Sequence, residues 1–531
     1  MVKESDGTLG WDHIIPGTPL VEDIDSTTRY SIEPLISATE PEFVATTYDT
    51  PQERTIVDVT FGNTTESYFN IEVNIGTGET FDDEAIAAIF NVERKGETYN
   101  VTLVSGGAGY AVGDTLVIPG TSLGGESPEN DCIIDVTSVS EDSTNSILSF
   151  TTEGTPRGGR FVGIAQPNFA FYSDDGITVT ESNTSFVGDY KAIAAGNDVF
   201  VAIASNTNTV SYTTNGVEWV TRSLPTSNNW ADIAYGKGKF VIIAENSNDV
   251  VFSEDGLNWT SATIPDGADS TTAQWQGISY GQGRFVIISG SANAVAISED
   301  GENWQRLDGV LGTEFYDWAS LAYGDNRFLA VDKDGRTLFS LDKGETWLEG
   351  ATIPNNNIAN LVVRDVKFSQ GVFFAVVTAG ELETNYCYTS EYGILWNERV
   401  LPNERVWSSV AYGQENGSGS WLLVASGSQF NSLANIKTGR KAIFRGELFQ
   451  GTFQVVKILD PGSGYTDDNP CEITVFDPNF ITEVEIAVRQ GSGTLPQPDF
   501  INRGAGYRSS SSTIEIEGKR FADIIPEDQE L

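Results

Sequence analysis

Histidine and methionine occur once each in this 531-residue chain, at His13 and Met1, and cysteine three times. A single imidazole in a proline-punctuated N-terminal stretch leaves the body of the chain without the usual general acid–base residue. Cys132, Cys387 and Cys471 are far apart and form no CxxC pair. They indicate neither a zinc site nor a disulfide framework and read as small buried side chains. Positive charge is also scarce. With 31 Lys and Arg against 75 Asp and Glu the net charge is −44, which argues against a nucleic acid or an anionic membrane surface as partner. No apolar run approaches the ~18 residues that span a bilayer, and the opening MVKESDGTLGWDHIIPG lacks the apolar core of a signal peptide. Synthesis in a cytosol without membrane insertion is therefore expected, and no residue pattern calls for a cofactor.

Repetition stands in place of those features. The segments WADIAYGKGKFVIIAENSNDVVFSEDGLNW from Trp230, WQGISYGQGRFVIISGSANAVAISEDGENW from Trp275 and WASLAYGDNRFLAVDKDGRTLFSLDKGETW from Trp318 repeat at about forty to forty-five residues. A period of that size, built from short apolar runs and glycine turns, predicts a β-propeller. Aligned on their second strand, the units give apolar runs starting at Phe161, Phe200, Phe240, Phe285, Phe328, Phe373 and Trp421. Consecutive apolar positions suit strands covered on both faces, as between neighbouring blades. Seven blades are expected, with six as the alternative if the first unit lacks an inner strand; Ile147 to Phe161 is the candidate for it. The glycine of each AYG or SYG is read as opening a tight turn.

The third strand of each unit ends in a turn that resembles the Asp-box, or BNR repeat, of form Ser/Thr, x, Asp, x, Gly, x, x, Trp. Ser340, Asp342, Gly344 and Trp347 match in full. Ser253, Asp255, Gly256 and Trp259, and Ser298, Asp300, Gly301 and Trp304, are one residue shorter between Asp and Gly. Thr213, Asn215, Gly216 and Trp219 carry Asn for Asp; Thr389, Glu391, Gly393 and Trp396 carry Glu; Ser173, Asp175 and Gly176 form a weaker copy. These residues are assigned a structural role: the carboxylate and hydroxyl bond nearby backbone, and the indole packs beneath the turn against its own or the next blade.

Outside the repeats, GxGY recurs in VSGGAGYAVGDTLVIPG from Val104, LDPGSGYTDDNPCEITV from Leu459 and INRGAGYRSSSSTIEIEG from Ile501. Each copy leads into a strand and not a helix, so it is a β-turn module and not a phosphate loop. The expected layout is an extended arm over 1–50, a β module over 51–146, the propeller over 147–448 and a C-terminal β module over 449–531.

The first GxGY segment, Gly107 to Val139, resembles segments of virion structural proteins from large tailed phages of marine cyanobacteria, which combine such modules with degenerate Asp-box repeats. That resemblance implies a non-enzymatic particle component (tail, neck, baseplate or capsid-associated), assembled in the host cytoplasm with other virion proteins in several copies. Other readings remain. A sialidase-like hydrolase would need a Phe/Tyr-Arg-Ile-Pro segment, to which Gly159-Arg160-Phe161 is the nearest approach. Photosystem II assembly factors have similar repeats behind an export signal. Tyr316, Trp318 and Tyr392 are candidates for stacking on a host-surface glycan. Asp332 and Asp334, and likewise Asp467, Asp468 and Asn469, give at most a partial calcium loop, short of the ~6 oxygen ligands required.

Overall fold

The computed structural model describes residues 43–438 apart from short stretches, the longest of them 74–85, with isolated strands on either side. The chain divides into two units, Ala45–Ile436 and a second formed by Met1–Val44 with Lys437–Leu531.

The first unit is a ring of antiparallel sheets. Five four-stranded sheets begin with inner strands Thr55–Gly62, Tyr190–Gly196, Trp230–Gly236, Trp275–Gly281 and Trp318–Gly324. A seven-stranded sheet follows, in which the 19-residue strand Asn397–Glu415 is shared. Its first part pairs with Thr384–Ser390 and its second with Ser418–Ser426. Divided there, the ring has seven sheets, called blades one to seven in chain order. Each inner strand packs against the next, and the inner strand of blade seven packs against Thr55–Gly62, which closes the circle. The fold is an all-β propeller. Second strands such as Lys239–Ala244 and Arg284–Ser289 are buried at every position after the first, because neighbouring sheets cover both faces.

The sequence layout needs correction at both ends of the ring. The inner strand of blade one is Thr55–Gly62, paired with Arg160–Gln166, and not Ile147–Glu153. The latter strand pairs with Cys132–Val139 in a separate three-stranded sheet. That sheet and a second one, Thr65–Val73 with Ala88–Lys95 and Thr98–Ser105, enclose their own core around Phe90, Leu116, Ile134 and Val136. The GxGY module is thus inserted between the first two strands of blade one. Within it, Tyr110 is buried, receives the Ala88 amide hydrogen at 2.7 Å and donates its own to the Val73 carbonyl at 3.0 Å. Part of the predicted arm, Phe43–Thr50, is a strand beside Asn431–Thr438 in blade seven. Asn431–Thr438 is thus a strand of blade seven.

In the second unit, Ile36–Ala38 pairs with Ile473–Asp477, which pairs with Ser512–Ile514, and Tyr30–Ser31 joins Ile443–Phe449 and Thr452–Asp460. The second and third GxGY turns, and Asp467, Asp468 and Asn469, lie outside the described residues.

A periodic interlock joins successive blades. Lys237 and Gly238 take positive φ (48° and 77°) and form the turn after the inner strand of blade three. Gly236 before them serves another purpose: a β-carbon there would run into the Tyr280 ring of blade four. The same relation links Gly196 to Tyr235, Gly281 to Tyr323, Gly324 to Phe368 and Gly413 to Phe61. The glycine of small-aromatic-Gly is therefore needed for a close approach between sheets, and the turn comes from the next two residues.

Candidate functional site

Five of the six Asp-box copies fold into the same hydrogen-bonded loop. In blade three the Ser253 hydroxyl donates to Asp255 at 3.0 Å and accepts the Gly256 amide at 2.8 Å. The Leu257 and Asn258 amides and the Asn258 side chain donate to the same carboxylate at 2.7–2.8 Å. Asp300 with Ser298, Asp342 with Ser340, Asp175 with Ser173 and Asn215 with Thr213 repeat the arrangement. Partial burial acts to raise Asp255, but these donors prevail and bring it down to about 2. The carboxylates are ionised and fully committed to the loop.

Gly216, Gly256, Gly301, Gly344 and Gly393 have φ between 67° and 89°, and a β-carbon on any of them would press on the preceding blade, at Val162, Val201, Val241, Val286 and Leu329 respectively. The indoles of Trp219, Trp259, Trp304 and Trp347 donate to the carbonyl of the glycine three residues earlier at 3.1–3.2 Å. They pack into the core shared with the preceding blade, as Trp259 does with Val210 and Leu224 of blade two. The box indole thus packs against its own blade, as expected, and against the preceding blade in place of the next. The chain direction brings the box turn back over the sheet already laid down.

The ring's axis carries the groups the sequence reading missed. Asp58, Asp232 and Asp365 occupy the same bulge position on the inner strands of blade one, blade three and blade six (Leu361–Ser369), filled elsewhere by Ala192, Gly277, Ser320 and Ser409. Asp58 accepts the Val59 amide at 2.9 Å and, from blade two, the Ile193 amide at 3.1 Å. Asp232 likewise accepts from Ile233 at 2.8 Å and from Ile278 of blade four at 3.0 Å. Asp365 takes the Ser320 hydroxyl at 3.2 Å and the Val410 amide at 3.4 Å. Each carboxylate bridges adjacent blades where the backbone bulge leaves an amide without a ladder partner.

Lys367 reaches into this group, its ammonium 3.6 Å from Asp365 and its side chain 44 % exposed to the space along the axis. Surrounding protein acts to lower its pKa, yet Asp365, Asp58 and Asp232 more than offset that and hold it above the ordinary lysine range. Burial raises Asp232 to about 6, against the pull of the Ile278 amide and Lys367. Burial likewise raises Asp58. The Ser409 hydroxyl lies 2.7 Å from Asp58 and 2.8 Å from Asp365. One hydroxyl proton serves one acceptor at a time, so Asp58 and Asp365 share the Ser409 donor. Aligning the inner strands on AYG would have exposed this column: a small or acidic residue recurs just before the Ile, Leu or Val.

The remaining candidates are placed as follows. Trp318 is 5 % and Tyr316 8 % exposed. Their rings stack on each other at 4.6 Å, and the Trp318 indole donates to the Ser289 carbonyl at 3.1 Å. Neither offers a face to a sugar, because Trp318, at the head of its inner strand, is wedged against the blade before it; Tyr392 is 40 % exposed. Asp332 is buried and accepts the backbone and guanidinium of Arg336, whereas the Asp334 side chain is 80 % exposed. The two carboxylates do not converge, and among the described residues no three acidic, Cys or His side chains are arranged to hold a metal. Arg160 sits off the axis, where it bridges Glu66 of the inserted module at 3.2 Å and Asp174 at 2.5 Å. An open pocket beside the blade-four box is lined by Arg284, Glu299, Asp300 and Trp304, but Arg284 already pairs with Glu299 and Glu345.

No protein-family model and no curated protein matches the sequence. Among solved structures, a streptogramin B lyase is similar over 52 % of this chain and 90 % of its own, at 11 % identity and a TM-score of 0.43. YCF48 from Cyanidioschyzon merolae is similar over 52 % and 90 % at 12 % identity and 0.39. YCF48 bound to D1 peptide is similar over 63 % and 94 % at 15 % identity and 0.34. Likenesses this distant say nothing of activity, and the propeller assignment rests on the sheet order given above.

Proposed function

We propose that this chain is a non-enzymatic structural component of a tailed-phage particle, in which the propeller is a rigid head and the inserted and C-terminal β modules attach it to other virion proteins. The observation that carries the non-enzymatic part is the use of the axial carboxylates. Asp58, Asp232 and Asp365 each accept hydrogen bonds from the adjacent blade, and a group holding two sheets in register is not free to move a substrate proton. The virion part is supported by the wording of Gly107 to Val139 and by the way that module interrupts blade one, with its own core, while the ring stays closed. Burial of Tyr316 and Trp318 removes the main support for glycan stacking.

The test is direct. Purified particles from a phage encoding this chain are analysed by mass spectrometry and by electron cryo-microscopy. Several copies per particle, with ring-shaped density on tail, neck, baseplate or capsid, are expected. A chain made during infection but missing from finished particles overturns the proposal.

A further inference from the structure

The ring has two unlike ends. At one lie the Asp-boxes and the turns between first and second strands, which meet across blade junctions: the Asn197 side chain donates to the Glu254 carbonyl at 3.5 Å, Lys237 to that of Glu299 at 2.9 Å and Arg327 to that of Tyr392 at 3.0 Å. At the far end lie the turns between second and third strands and the links to the next blade. There the Glu245, Gly290 and Lys333 amides donate to the carbonyls of Asn229, Gln274 and Asp317, each just before an inner strand, at 2.9–3.0 Å.

The chain departs from the ring at the box end. The inserted module leaves after Gly62 and returns at Arg160, which stand opposite each other in blade one, where blades two to six have a turn of two residues. On that path the Thr65 amide donates to the Thr214 carbonyl in the blade-two box at 2.9 Å, and Arg160 donates to the Asn215 carbonyl. Ile436, the last residue of the first unit, stands opposite Trp421, toward the box-end start of its strand. The entering strand, Phe43–Thr50, has eight residues and covers about 27 Å. Thr50 must reach Thr55, at the far end, within about 18 Å of extended chain, so Phe43 is at the box end. Both sheets of the first unit outside the blades, those of the inserted module, start there as well.

We propose that the box end is the proximal face, turned toward the particle and covered by neighbouring virion proteins, and that the far end is the distal face, presented to the surroundings. This rests on the virion reading above. A rigid ring held through segments that leave one end turns that end toward whatever holds it. The far end, its turns fixed to one another by backbone bonds, is shaped before any contact is made.

Single cysteines report the orientation. Glu254→Cys and Glu299→Cys mark the box end, where both side chains are 76 % exposed. Asn246→Cys and Asp334→Cys mark the far end, where Asn246 is exposed and the Asp334 side chain is 80 % exposed. Cys132 and Cys387 are buried, and labelling of the parent chain, which also has Cys471, is subtracted. Each variant is placed in the phage, and maleimide labelling of intact particles is compared with that of the purified chain. All four positions should react alike in the purified chain. On particles the two box-end positions should react roughly tenfold or more slowly, as under a packed interface, and the two far-end positions at the rate of the free chain. Protection of the far end, or equal reactivity at both ends, overturns the orientation and leaves the virion reading standing; a chain absent from particles overturns both.

Discussion

Replacing Gly236 by alanine probes the interlock between blades three and four. The φ of Gly236 lies outside the left-handed region, so a methyl adds no backbone strain. Steric overlap is the whole cost. Three carbons of the Tyr280 ring lie closer than 3.0 Å to the added atom, and that ring is held against Phe285 at 4.7 Å between centroids. Overpacking of a filled site costs typically ~1–3 kcal/mol, and alanine recovers about 0.5–1 kcal/mol of unfolded-chain entropy. A net loss of roughly 1–2 kcal/mol is expected in urea unfolding followed by tryptophan fluorescence. Gly238→Ala should lose a similar ~1–2 kcal/mol for a different reason, because its φ is 77° with no atom within 4 Å of the added carbon. A Tyr280→Ala background separates the two: there Gly236→Ala becomes neutral or stabilising, while Gly238→Ala keeps its full cost. If the Gly236→Ala loss is unchanged without the tyrosine ring, the interlock is not what requires glycine.

Trp259→Ala removes a half-buried indole that joins blades two and three, and a loss of about 3 kcal/mol is expected by the same unfolding measurement; an unchanged melting temperature would refute that packing. Asp255, lowered to about 2 in the folded chain, adds stability present above the ordinary carboxylate pKa and lost as pH falls toward 2. Asp232, raised to about 6, adds stability present below the ordinary value and lost as pH rises through 6. Asp255→Asn should therefore flatten the melting curve's pH dependence between about pH 4 and 2, and Asp232→Asn that between about pH 4 and 7; the opposite pairing contradicts the assignment. Lys367→Met leaves the axial carboxylates without their cation, at a loss of roughly 2 kcal/mol near neutrality, less than for a fully enclosed pair. That deficit should shrink at about pH 5, where Asp232 is protonated, and a deficit independent of pH argues against the charge role.

The all-β propeller was legible because second strands such as Phe240–Ala244 and Phe285–Ser289 repeat with uninterrupted apolar runs, which only a doubly covered strand tolerates. Blade one was misread for a reason of chain topology. Its inner strand, Thr55–Gly62, is separated from Arg160–Gln166 by the inserted module, and strand pairing carries no local sequence signal across such a gap. The glycine of AYG was given a turn role because local chemistry cannot report an atom of the next sheet. Asp58, Asp232 and Asp365 were passed over since single carboxylates in separate repeats gain meaning only when the ring brings the bulges together. Trp318 was taken as exposed, although its place at the head of an inner strand matches Trp230, Trp275 and Trp407, all fully buried.

Phe43–Thr50 lies in the same sheet as Asn431–Thr438, nearly the whole ring apart along the chain. At a synthesis rate of ~5–20 residues per second the early strand waits on the order of 20–80 s for its neighbour to be made. During that interval its backbone donors and acceptors form an open edge, the kind that recruits foreign strands. Sealing the circle is thus a late event, dependent on release of the C-terminal blade, and any fragment ending before Asn431 is left with a strand that has nothing of its own to pair with.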